Sequence, residues 1–310
     1  MRIVFCGTPE FSVQPLQQLI ANKYDVVAVY TQPDRGVGRG QKIHYSPVKQ
    51  YALDQDIEVY QPPSFKAVAD IEKLRALKPD LMVVVAYGLI LPQTVLDIPS
   101  ISCWNIHASL LPRWRGAAPI HRALLAGDKT TGVGIMQMEA GLDTGPVYLQ
   151  HECAISNSES AQSLHDKLAI MGAYALIECL QLLQNGLLPT PMIQNPAKKT
   201  YAAKLQKSES NISWDEDVMY IERKIRALNP WPGVVANIAG DNYKLWQAQI
   251  ASKSGEPTAK VKIGEIVKAD KNSLIIQCKK GQLQIDSIQK AGKKRMTIKQ
   301  FMQAKAAWYK

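Results

Sequence analysis

Three polar residues, Asn105, His107 and Asp143, have the types and the spacing of an acyl-transfer site. Asn105 and His107 end an apolar, strand-like run, and because side chains alternate along a strand, both point to the same side. Asp143 lies in the glycine-flanked turn 141–145, from which a carboxylate can reach the same point. An amide, an imidazole and a carboxylate can stabilise a developing oxyanion and move a proton. This chemistry needs no serine or cysteine nucleophile.

Each of these residues also has a simpler structural interpretation when it is taken alone. His107 by itself is more often a hydrogen-bonded core histidine, and Asp143 between glycines is typical of turn chemistry. Asn105 at a strand end often caps backbone groups. The joint occurrence of all three in this order favours the catalytic interpretation.

The elements around these residues indicate an α/β domain. The apolar run 81–86 is typical of a strand buried on both faces of a parallel sheet, and 102–107 is the strand that carries the site. Strands and helices alternate up to residue 185, which predicts a doubly wound, mostly parallel sheet. We assign residues 1–188 to this catalytic domain and the proline-rich stretch 189–205 to a linker. Short alternating stretches within 206–310 predict a smaller C-terminal β-barrel of OB-like type.

The charge of the chain is concentrated in its C-terminal third. The net charge of +10 over 310 residues arises after position 200, where 20 Lys and Arg face 10 Asp and Glu. A basic appendage on a neutral body indicates a polyanionic partner such as nucleic acid. No apolar stretch reaches 18 residues, so we expect no membrane span. The five cysteines have no C-x-x-C spacing, which predicts free thiols and a cytoplasmic protein. The sequence contains no heptad pattern that would indicate self-association, so we expect a monomer.

Several common ligand motifs are absent from the sequence. Gly7 follows the first strand alone, without the G-x-G-x-x-G pattern of dinucleotide binding. The glycine-rich stretch 36–42 lacks the spacing of a phosphate-binding loop, and the histidines show no ligand spacing with cysteine. We therefore expect neither nucleotide nor metal binding.

The motifs that remain resemble those of a known family. NIHASLLP at 105–112, followed by GLDTG at 141–145, is similar to the signature of the folate-dependent formyltransferases. Further stretches resemble the members of this family that formylate methionyl-tRNA. They are FCGTP at 5–9, TQPDR at 31–35, GRG at 38–40, VVAYGLILP at 84–92, RWRGAAPI at 113–120 and NPWP at 229–232. The resemblance spans the whole chain and is densest before residue 150.

The resemblance implies a one-carbon transfer and a role for each motif. The formyl group of 10-formyltetrahydrofolate, with no metal involved, would pass to the amino group of methionine on initiator methionyl-tRNA, giving N-formylmethionyl-tRNA for translation initiation. Asn105, His107 and Asp143 would be catalytic. The implied folate pocket consists of Ser109, Leu110, Leu111 and Pro112, with Val85, Ala86, Tyr87 and Gly88 beside the pterin.

Two basic regions are implied to contact RNA. The loop 33–43 would reach the acceptor arm of the tRNA through Arg35, Arg39 and Lys42, although such a loop can also be a plain surface loop. C-terminal cations, by default a solvated face, would contact the RNA backbone without reading its sequence. They include Lys279, Lys280, Lys293, Lys294 and Arg295.

Three other functions stay open on the sequence. A formyltransferase could act on a small amine, such as a sugar nucleotide or a purine precursor, but it would need neither the Arg39 loop nor a basic domain. A formyltetrahydrofolate hydrolase would use water at the same three residues. An RNA-binding protein with an inactive transferase body is disfavoured because Asn105, His107 and Asp143 are intact.

Overall fold

A computed structural model describes residues 1–37, 42–253 and 261–308. The chain divides into two units. The N-terminal unit comprises Met1–Pro119, Thr130–Ala154 and His165–Ala202. The C-terminal unit comprises Ile120–Lys129, Ile155–Leu164 and Ala203–Lys310.

Strands and helices alternate along the first part of the chain, as the sequence predicts. The strands are β1 (Arg2–Gly7), β2 (Asp25–Tyr30), β3 (Arg35–Val37), β4 (Lys42–His44), β5 (Val59–Tyr60), β6 (Leu81–Val85), β7 (Ser102–His107), β8 (Arg115–Gly116), β9 (Thr130–Gln137), β10 (Val147–Ala154), β11 (Tyr201–Ala202), β12 (Val234–Ile238), β13 (Asp241–Ser252), β14 (Ile266–Ala269), β15 (Leu274–Gln277), β16 (Gln282–Lys290) and β17 (Met296–Thr297). The α-helices are α1 (Val13–Ala21), α2 (Pro47–Asp54), α3 (Val68–Ala76), α4 (Gln93–Leu96), α5 (Pro119–Ala126), α6 (Ala161–Gln184), α7 (Val218–Leu228) and α8 (Ile298–Gln303).

The N-terminal unit is built on a seven-stranded sheet of order β10-β9-β7-β6-β1-β2-β5. Its strands β5, β2, β1, β6 and β7 are parallel to one another, whereas β9 pairs antiparallel with both β7 and β10. The predicted doubly wound, mostly parallel fold is therefore confirmed. Every residue of β6 is buried, which agrees with its continuous apolar sequence.

Apolar side chains cover this sheet on both faces. Alternate residues of β1 and β6 form one cluster with Leu74 of α3 and Val95 of α4. The residues between them, Ile3 and Phe5 among others, are equally inaccessible. Burial of this kind contributes about 25 cal/mol per Å² of apolar surface, which makes the central strands a rigid support for side chains at their ends.

Strand β7 has opposite roles on its two faces. Ile106 packs towards α6 at Gly172, where an added Cβ would lie 2.7 Å from the Ile106 side chain. Because alternate residues face opposite sides, Asn105 and His107 point away from α6. The parallel neighbour β6 ends beside them, with Val84 paired to Asn105.

The C-terminal unit contains a six-stranded sheet in which all neighbours are antiparallel, as predicted for a small β-domain. Its order is β12-β13-β16-β15-β14, and β17 pairs with β16. Helix α7 begins after Asp217, whose side chain accepts the backbone N–H of Met219, and it packs on β13. Across the described residues, no helix has the length and apolarity needed to span a membrane.

Two local predictions differ from the structure. The glycine- and arginine-rich stretch 32–44 predicts a loop, but it contains the antiparallel pair β3 and β4, because pairing can order short segments whose own β-propensity is low. The sequence also predicts helices over 64–77 and 297–308, and in the structure both are shorter, at Val68–Ala76 and Ile298–Gln303. Helix ends carry little packing, so their bounds are hard to read from a sequence.

Gly132 and Gly134 of β9 offer a matched test of this packing. A Cβ at Gly132 would lie 2.0 Å from the carbonyl oxygen of His151, whereas one at Gly134 would meet its nearest neighbour at an ordinary 3.5 Å. We expect Gly132→Ala to lower the free energy of unfolding by about 1–3 kcal/mol through overpacking. Gly134→Ala should have a clearly smaller effect. Urea denaturation of both variants checks this, and equal losses would contradict the described pairing of β9 with β10.

Candidate active site

His107 and Asp143 are in contact at the end of β7. Nε2 of His107 lies 3.2 Å from Oδ2 of Asp143. The pair is largely shielded from solvent, since 6% of the His107 side chain and 18% of the Asp143 side chain are exposed. The two atoms are close enough for an ion pair, and for a hydrogen bond when Nε2 carries the proton.

The other ring nitrogen of His107 is firmly held. Nδ1 lies 2.9 Å from the hydroxyl of Ser109, and that hydroxyl donates to the carbonyl oxygen of Arg113 at 2.6 Å. Ser109 is fully buried. The ring orientation is therefore fixed from the side opposite to Asp143.

Asp143 adopts an unusual backbone conformation for a residue with a side chain. Its φ is +52°, in the left-handed region that aspartate tolerates better than most residues. Gly145, two residues later, approaches β9 so closely that a Cβ would lie 1.9 Å from the carbonyl oxygen of Gln137. The glycine of this turn is thus required by close backbone contact, and the turn directs the carboxylate towards His107.

The environment of Asp143 favours its ionised form. Burial acts to raise the pKa of the carboxyl group, but a hydrogen bond from His107 and its charge act the other way. The backbone N–H of Gly116, which donates to Oδ2 at 2.7 Å, and the nearby Arg115 also act to lower it. The pKa of Asp143 consequently lies below its ordinary value, so the carboxylate is charged at neutral pH.

A residue that the sequence did not indicate, Gln194, anchors the turn of Asp143. Its side-chain N–H donates to the carbonyl oxygens of Asp143 at 2.9 Å and Gly145 at 2.7 Å. Its side-chain oxygen accepts two hydrogen bonds from the buried Arg115, at 2.9 and 2.8 Å. Gln194 lies in the proline-rich stretch expected to be a linker, and no sequence signal relates it to a turn 51 residues earlier.

The stretch around Gln194 is bonded along much of its length to the N-terminal unit. The backbone of Met192 pairs with Val147, and β11 pairs with β8, where Tyr201 lies opposite Arg115. The backbone N–H of Trp114 donates a hydrogen bond to the hydroxyl oxygen of Thr200. These contacts tie the stretch to β8, whose Gly116 in turn holds the carboxylate of Asp143.

Asn105 shares the side of β7 on which His107 lies. It is half-buried, and within the described part of the chain its carboxamide has no hydrogen-bond partner. Its backbone is fixed between Val84 of β6 and Met136 of β9. A donor that is held in place but not engaged is suited to bind an oxygen of a substrate.

The residues predicted to line a folate pocket fall in two segments that follow adjacent parallel strands. Val85 ends β6 and is buried, as is Tyr87, while Ala86 and Gly88 are exposed. The second segment follows β7. In it Leu111 is buried in a cluster with Met136 and Val147, and Leu110 and Pro112 are partly exposed. The carboxyl ends of adjacent strands in an open α/β sheet form the crevice in which ligands bind.

The predicted tRNA-contacting residues are only partly described. Arg35 is exposed on β3 and donates to the side-chain oxygen of Gln32 at 2.9 Å, and Lys42 begins β4 opposite Val37. Arg39 lies outside the described residues. The structure therefore places two of the three on the paired strands β3 and β4.

The C-terminal unit has a concave basic surface of its own. A cavity of about 920 Å³ is lined by five cations, by three acidic residues and by Trp246. The cations are Lys129, Arg223, Arg226, Lys253 and Arg295, and the acidic residues are Asp128, Glu222 and Asp286. Lys244 and Arg295 both lie over the ring of Trp246, at 4.0 and 4.9 Å from its centroid. Of the predicted RNA contacts, Lys279, Lys280, Lys293 and Lys294 are exposed.

Comparison with known proteins assigns the chain to a family. Residues 1–180 match the formyl transferase family, and residues 204–306 match the formyl transferase C-terminal domain. The chain belongs to the formyl transferase family. It is similar to the methionyl-tRNA formyltransferase of Methylococcus capsulatus, with 49% identity over 99% of this chain and 97% of that protein.

Two solved structures share the fold at low sequence identity. An N-formyltransferase from Helicobacter canadensis, in complex with folinic acid and dTDP-3-aminofucose, matches with a TM-score of 0.69 and 18% identity over 93% of this chain and 98% of the other. HypX from Aquifex aeolicus, in complex with tetrahydrofolic acid, matches with a TM-score of 0.65 and 16% identity. This formyl transferase aligns over 97% of its own length but spans only 47% of HypX.

Removal of Gln194 tests its role as an anchor. We expect Gln194→Ala to lower the free energy of unfolding by about 1–3 kcal/mol, because Arg115 and two carbonyl oxygens lose their partner. Formyl-transfer turnover should fall as well, since the turn of Asp143 is released. Gln289→Ala is the control, because this side chain also accepts from one side chain and donates to one carbonyl, in the C-terminal unit. Turnover that is equal in the two variants would remove Gln194 from the site.

The lowered pKa of Asp143 predicts a pH dependence of stability. Because the folded-state pKa is below the unfolded value of about 4, ionised Asp143 stabilises the fold above that pH, and the contribution is lost as the pH falls through the folded-state pKa. When the pH is lowered from 6 to 3, the free energy of unfolding should therefore fall less in Asp143→Asn than in the wild type. Urea denaturation across this range checks it, with Asp56→Asn, at an exposed residue that also has positive φ, as the control for loss of a carboxylate. Parallel curves for Asp143→Asn and the wild type would contradict the assignment.

Proposed function

We propose that this chain transfers the formyl group of 10-formyltetrahydrofolate to the amino group of methionine on initiator methionyl-tRNA. The observation that carries the proposal is the 49% identity to a methionyl-tRNA formyltransferase over almost the full length of both chains. We assign catalysis to residues 1–188 and RNA binding to residues 206–310, with residues 189–205 as the linker between them. The contact between His107 and Asp143 supplies the proton chemistry.

The described residues fit a bound formyl group. When bound, 10-formyltetrahydrofolate supplies an electrophilic carbon whose oxygen becomes more negative as an amine attacks. The amide of Asn105, which is not engaged by any described residue, is a donor suited to that oxygen, and so is Nε2 of His107 when it carries a proton. A preorganised donor of this kind is worth roughly 3–4 kcal/mol in the transition state.

His107 and Asp143 together manage the protons of the reaction. The attacking amine has a reference pKa of about 8, so it must be deprotonated before attack and lose a further proton afterwards. His107 accepts a proton at Nε2 and can return it to the folate nitrogen that leaves. Ionised Asp143, 3.2 Å from Nε2, stabilises the charged imidazolium in the meantime.

The folate would occupy the crevice beyond β6 and β7. Leu110, Leu111 and Pro112 would supply apolar and backbone contacts, and the segment from Val85 to Gly88 would lie beside the pterin. Support comes from the position of both segments at the carboxyl ends of adjacent parallel strands. The folate ligands named for the Helicobacter and Aquifex structures agree with a folate donor in this fold.

Binding of the tRNA would depend on cations in both units. Arg35, Arg39 and Lys42 would approach the acceptor arm, while the C-terminal cations would contact phosphates and contribute affinity without sequence choice. The basic cavity with Trp246 supports this assignment, because a polyanion gains from several convergent cations. We propose that the protein acts as a monomer in the cytoplasm. None of its five cysteines, all of which lie in the described residues, forms a disulfide, which is consistent with a reducing compartment.

A transfer assay with labelled formyl donor separates this proposal from its alternatives. We expect formylation of charged initiator tRNA and none of charged elongator tRNA. Formylation of a sugar-nucleotide amine or a purine precursor instead would establish the small-amine alternative. Release of free formate would indicate a hydrolase, and RNA binding without turnover would indicate an inactive transferase body.

Substitution of the proton-handling pair should abolish most of the activity. We expect His107→Ala and Asp143→Ala each to reduce turnover by at least ~100-fold, the range that general acid–base catalysis supplies. Circular dichroism and urea denaturation should show that both variants fold. Near-normal rates in folded protein would exclude these residues from the mechanism.

Removal of exposed C-terminal cations should change the salt dependence of RNA binding. The double variant Lys280→Ala, Lys294→Ala should bind tRNA more weakly and reduce the slope of log affinity against log salt by about 1 for each phosphate that is no longer neutralised. Lys23→Ala with Lys78→Ala, at exposed residues of the N-terminal unit, is the control of equal charge. An unchanged slope in the first variant would show that these cations do not touch RNA.

A further inference from the structure

The loop between α7 and β12 presents an exposed tryptophan. Trp231 lies between Pro230 and Pro232, and it is 56% exposed. Its indole N–H has no hydrogen-bond partner in the described part of the chain. Tryptophan is usually well buried, because exposure of its large ring leaves apolar surface in water. The packing of the C-terminal unit therefore gives no reason for an exposed ring at this position.

The loop that carries Trp231 is firmly held on the C-terminal unit. The buried side-chain amide of Asn229 donates to three backbone carbonyl oxygens, at 2.8, 3.0 and 3.2 Å, which belong to Ile225, Leu245 and Trp246. The backbone N–H of Gly233 donates to the carbonyl oxygen of Leu228 at 2.8 Å. A proline on either side of the tryptophan restricts its backbone further. A loop that is already ordered loses little conformational entropy when a ligand binds to it.

Cations lie beside the base of this loop. The ammonium of Lys244 donates to the carbonyl oxygen of Pro230 at 3.1 Å and lies 4.0 Å from the ring centroid of Trp246. The guanidinium of Arg295 lies 4.9 Å from the same centroid. Pro230 also lines the cavity of about 920 Å³, whose five cations outnumber its three acidic residues. A ligand on this side of the C-terminal unit therefore meets a surplus of positive charge.

We propose that Trp231 is a stacking platform for an unpaired base of RNA, beside cations that bind the phosphates of the same strand. An unpaired nucleotide combines a flat aromatic ring with negative charge, and so fits both features of the surface. Stacking tolerates any sequence, because every base has a π-face. The proposal rests on the proposed function, which gives the protein an RNA substrate. It adds a contact to a base where the cations supply contacts only to phosphates.

Other occupants fit this surface less well. Proteins that lie on a membrane surface commonly bury the wide apolar face of an amphipathic helix, whereas this loop offers one ring. A stable protein interface buries about 800 Å² on each partner, of which a single indole supplies a minor part. RNA engages both the ring and the surrounding charge with one ligand.

Two short RNA probes measure the contribution of the ring. They are a single-stranded oligoadenylate and an RNA duplex with the same number of phosphates, and fluorescence anisotropy reports their affinities. We expect Trp231→Ala to bind the single strand about 10-fold more weakly, as for one lost base–aromatic stack, and to bind the duplex as the wild type does. The slope of log affinity against log salt should stay the same, because no cation is removed.

Three results with these probes would overturn the proposal. They are an unchanged affinity of Trp231→Ala for the single strand, an equal loss with both probes, and no measurable binding of the single strand by the wild type. Tyr174→Ala is the control, because it removes an aromatic side chain that is 62% exposed in the N-terminal unit. It should leave both affinities unchanged.

Two further substitutions separate stacking from apolar contact. Trp231→Phe retains an aromatic ring and should retain most of the affinity for the single strand. Trp231→Leu retains apolar bulk without a π-face and should bind as weakly as Trp231→Ala. Wild-type affinity in Trp231→Leu would show that the ring does not stack. Loss of binding to phosphatidylserine vesicles in Trp231→Ala, with RNA binding unchanged, would assign the ring to a membrane surface and overturn the proposal.

Binding of the oligoadenylate requires neither a formyl donor nor methionine. The expected affinities together with absent methionyl-tRNA formylation would therefore reject the proposed function and leave the stacking surface standing. Methionyl-tRNA formylation by the wild type, with unchanged single-strand affinity and unchanged KM for tRNA in Trp231→Ala, would reject the stacking surface and leave the proposed function standing.

Discussion

The contact between Asp143 and His107 is the interaction on which the site depends. It joins the end of a rigid central strand to a turn 36 residues later, and it places a buried carboxylate beside an imidazole. Burying a carboxylate is unfavourable unless partners offset the loss of hydration. Here the N–H of Gly116, the imidazole and the charge of Arg115 do so, which explains why the carboxylate is ionised despite its burial.

The geometry of this contact is maintained by two different kinds of structure. His107 is held from within the sheet, where β7 is paired on both sides and Ser109 fixes the ring. Asp143 is held from outside it, through β8 and the stretch around Gln194. The proposed catalytic arrangement therefore depends on residues up to Ala202, well beyond the motifs that contain Asn105, His107 and Asp143.

The parts that could be predicted from the sequence are those with a local signal. The strand predicted over 102–107 has the same bounds in the structure, because apolar alternation and burial agree there. Apolar side chains at helical spacing likewise predict a long helix over 160–185, and the structure has it at Ala161–Gln184. Gln194 could not be predicted, since a lone amide among prolines acquires its role only through partners distant in sequence.

One further feature had no readable local signal. The pair of strands β3 and β4 forms in a stretch whose glycines and arginines favour a loop, and cross-strand pairing orders it. The deciding interaction is therefore between segments and not within one.

The most direct test of the central claim is a double-mutant cycle on His107 and Asp143 in single-turnover formyl transfer to methionyl-tRNA. If the two side chains act as one proton-handling unit, the rate of the double alanine variant will be close to that of the slower single variant, because either substitution already disables the unit. If the two losses instead multiply, the residues contribute independently, and the contact seen in the structure is not the basis of catalysis.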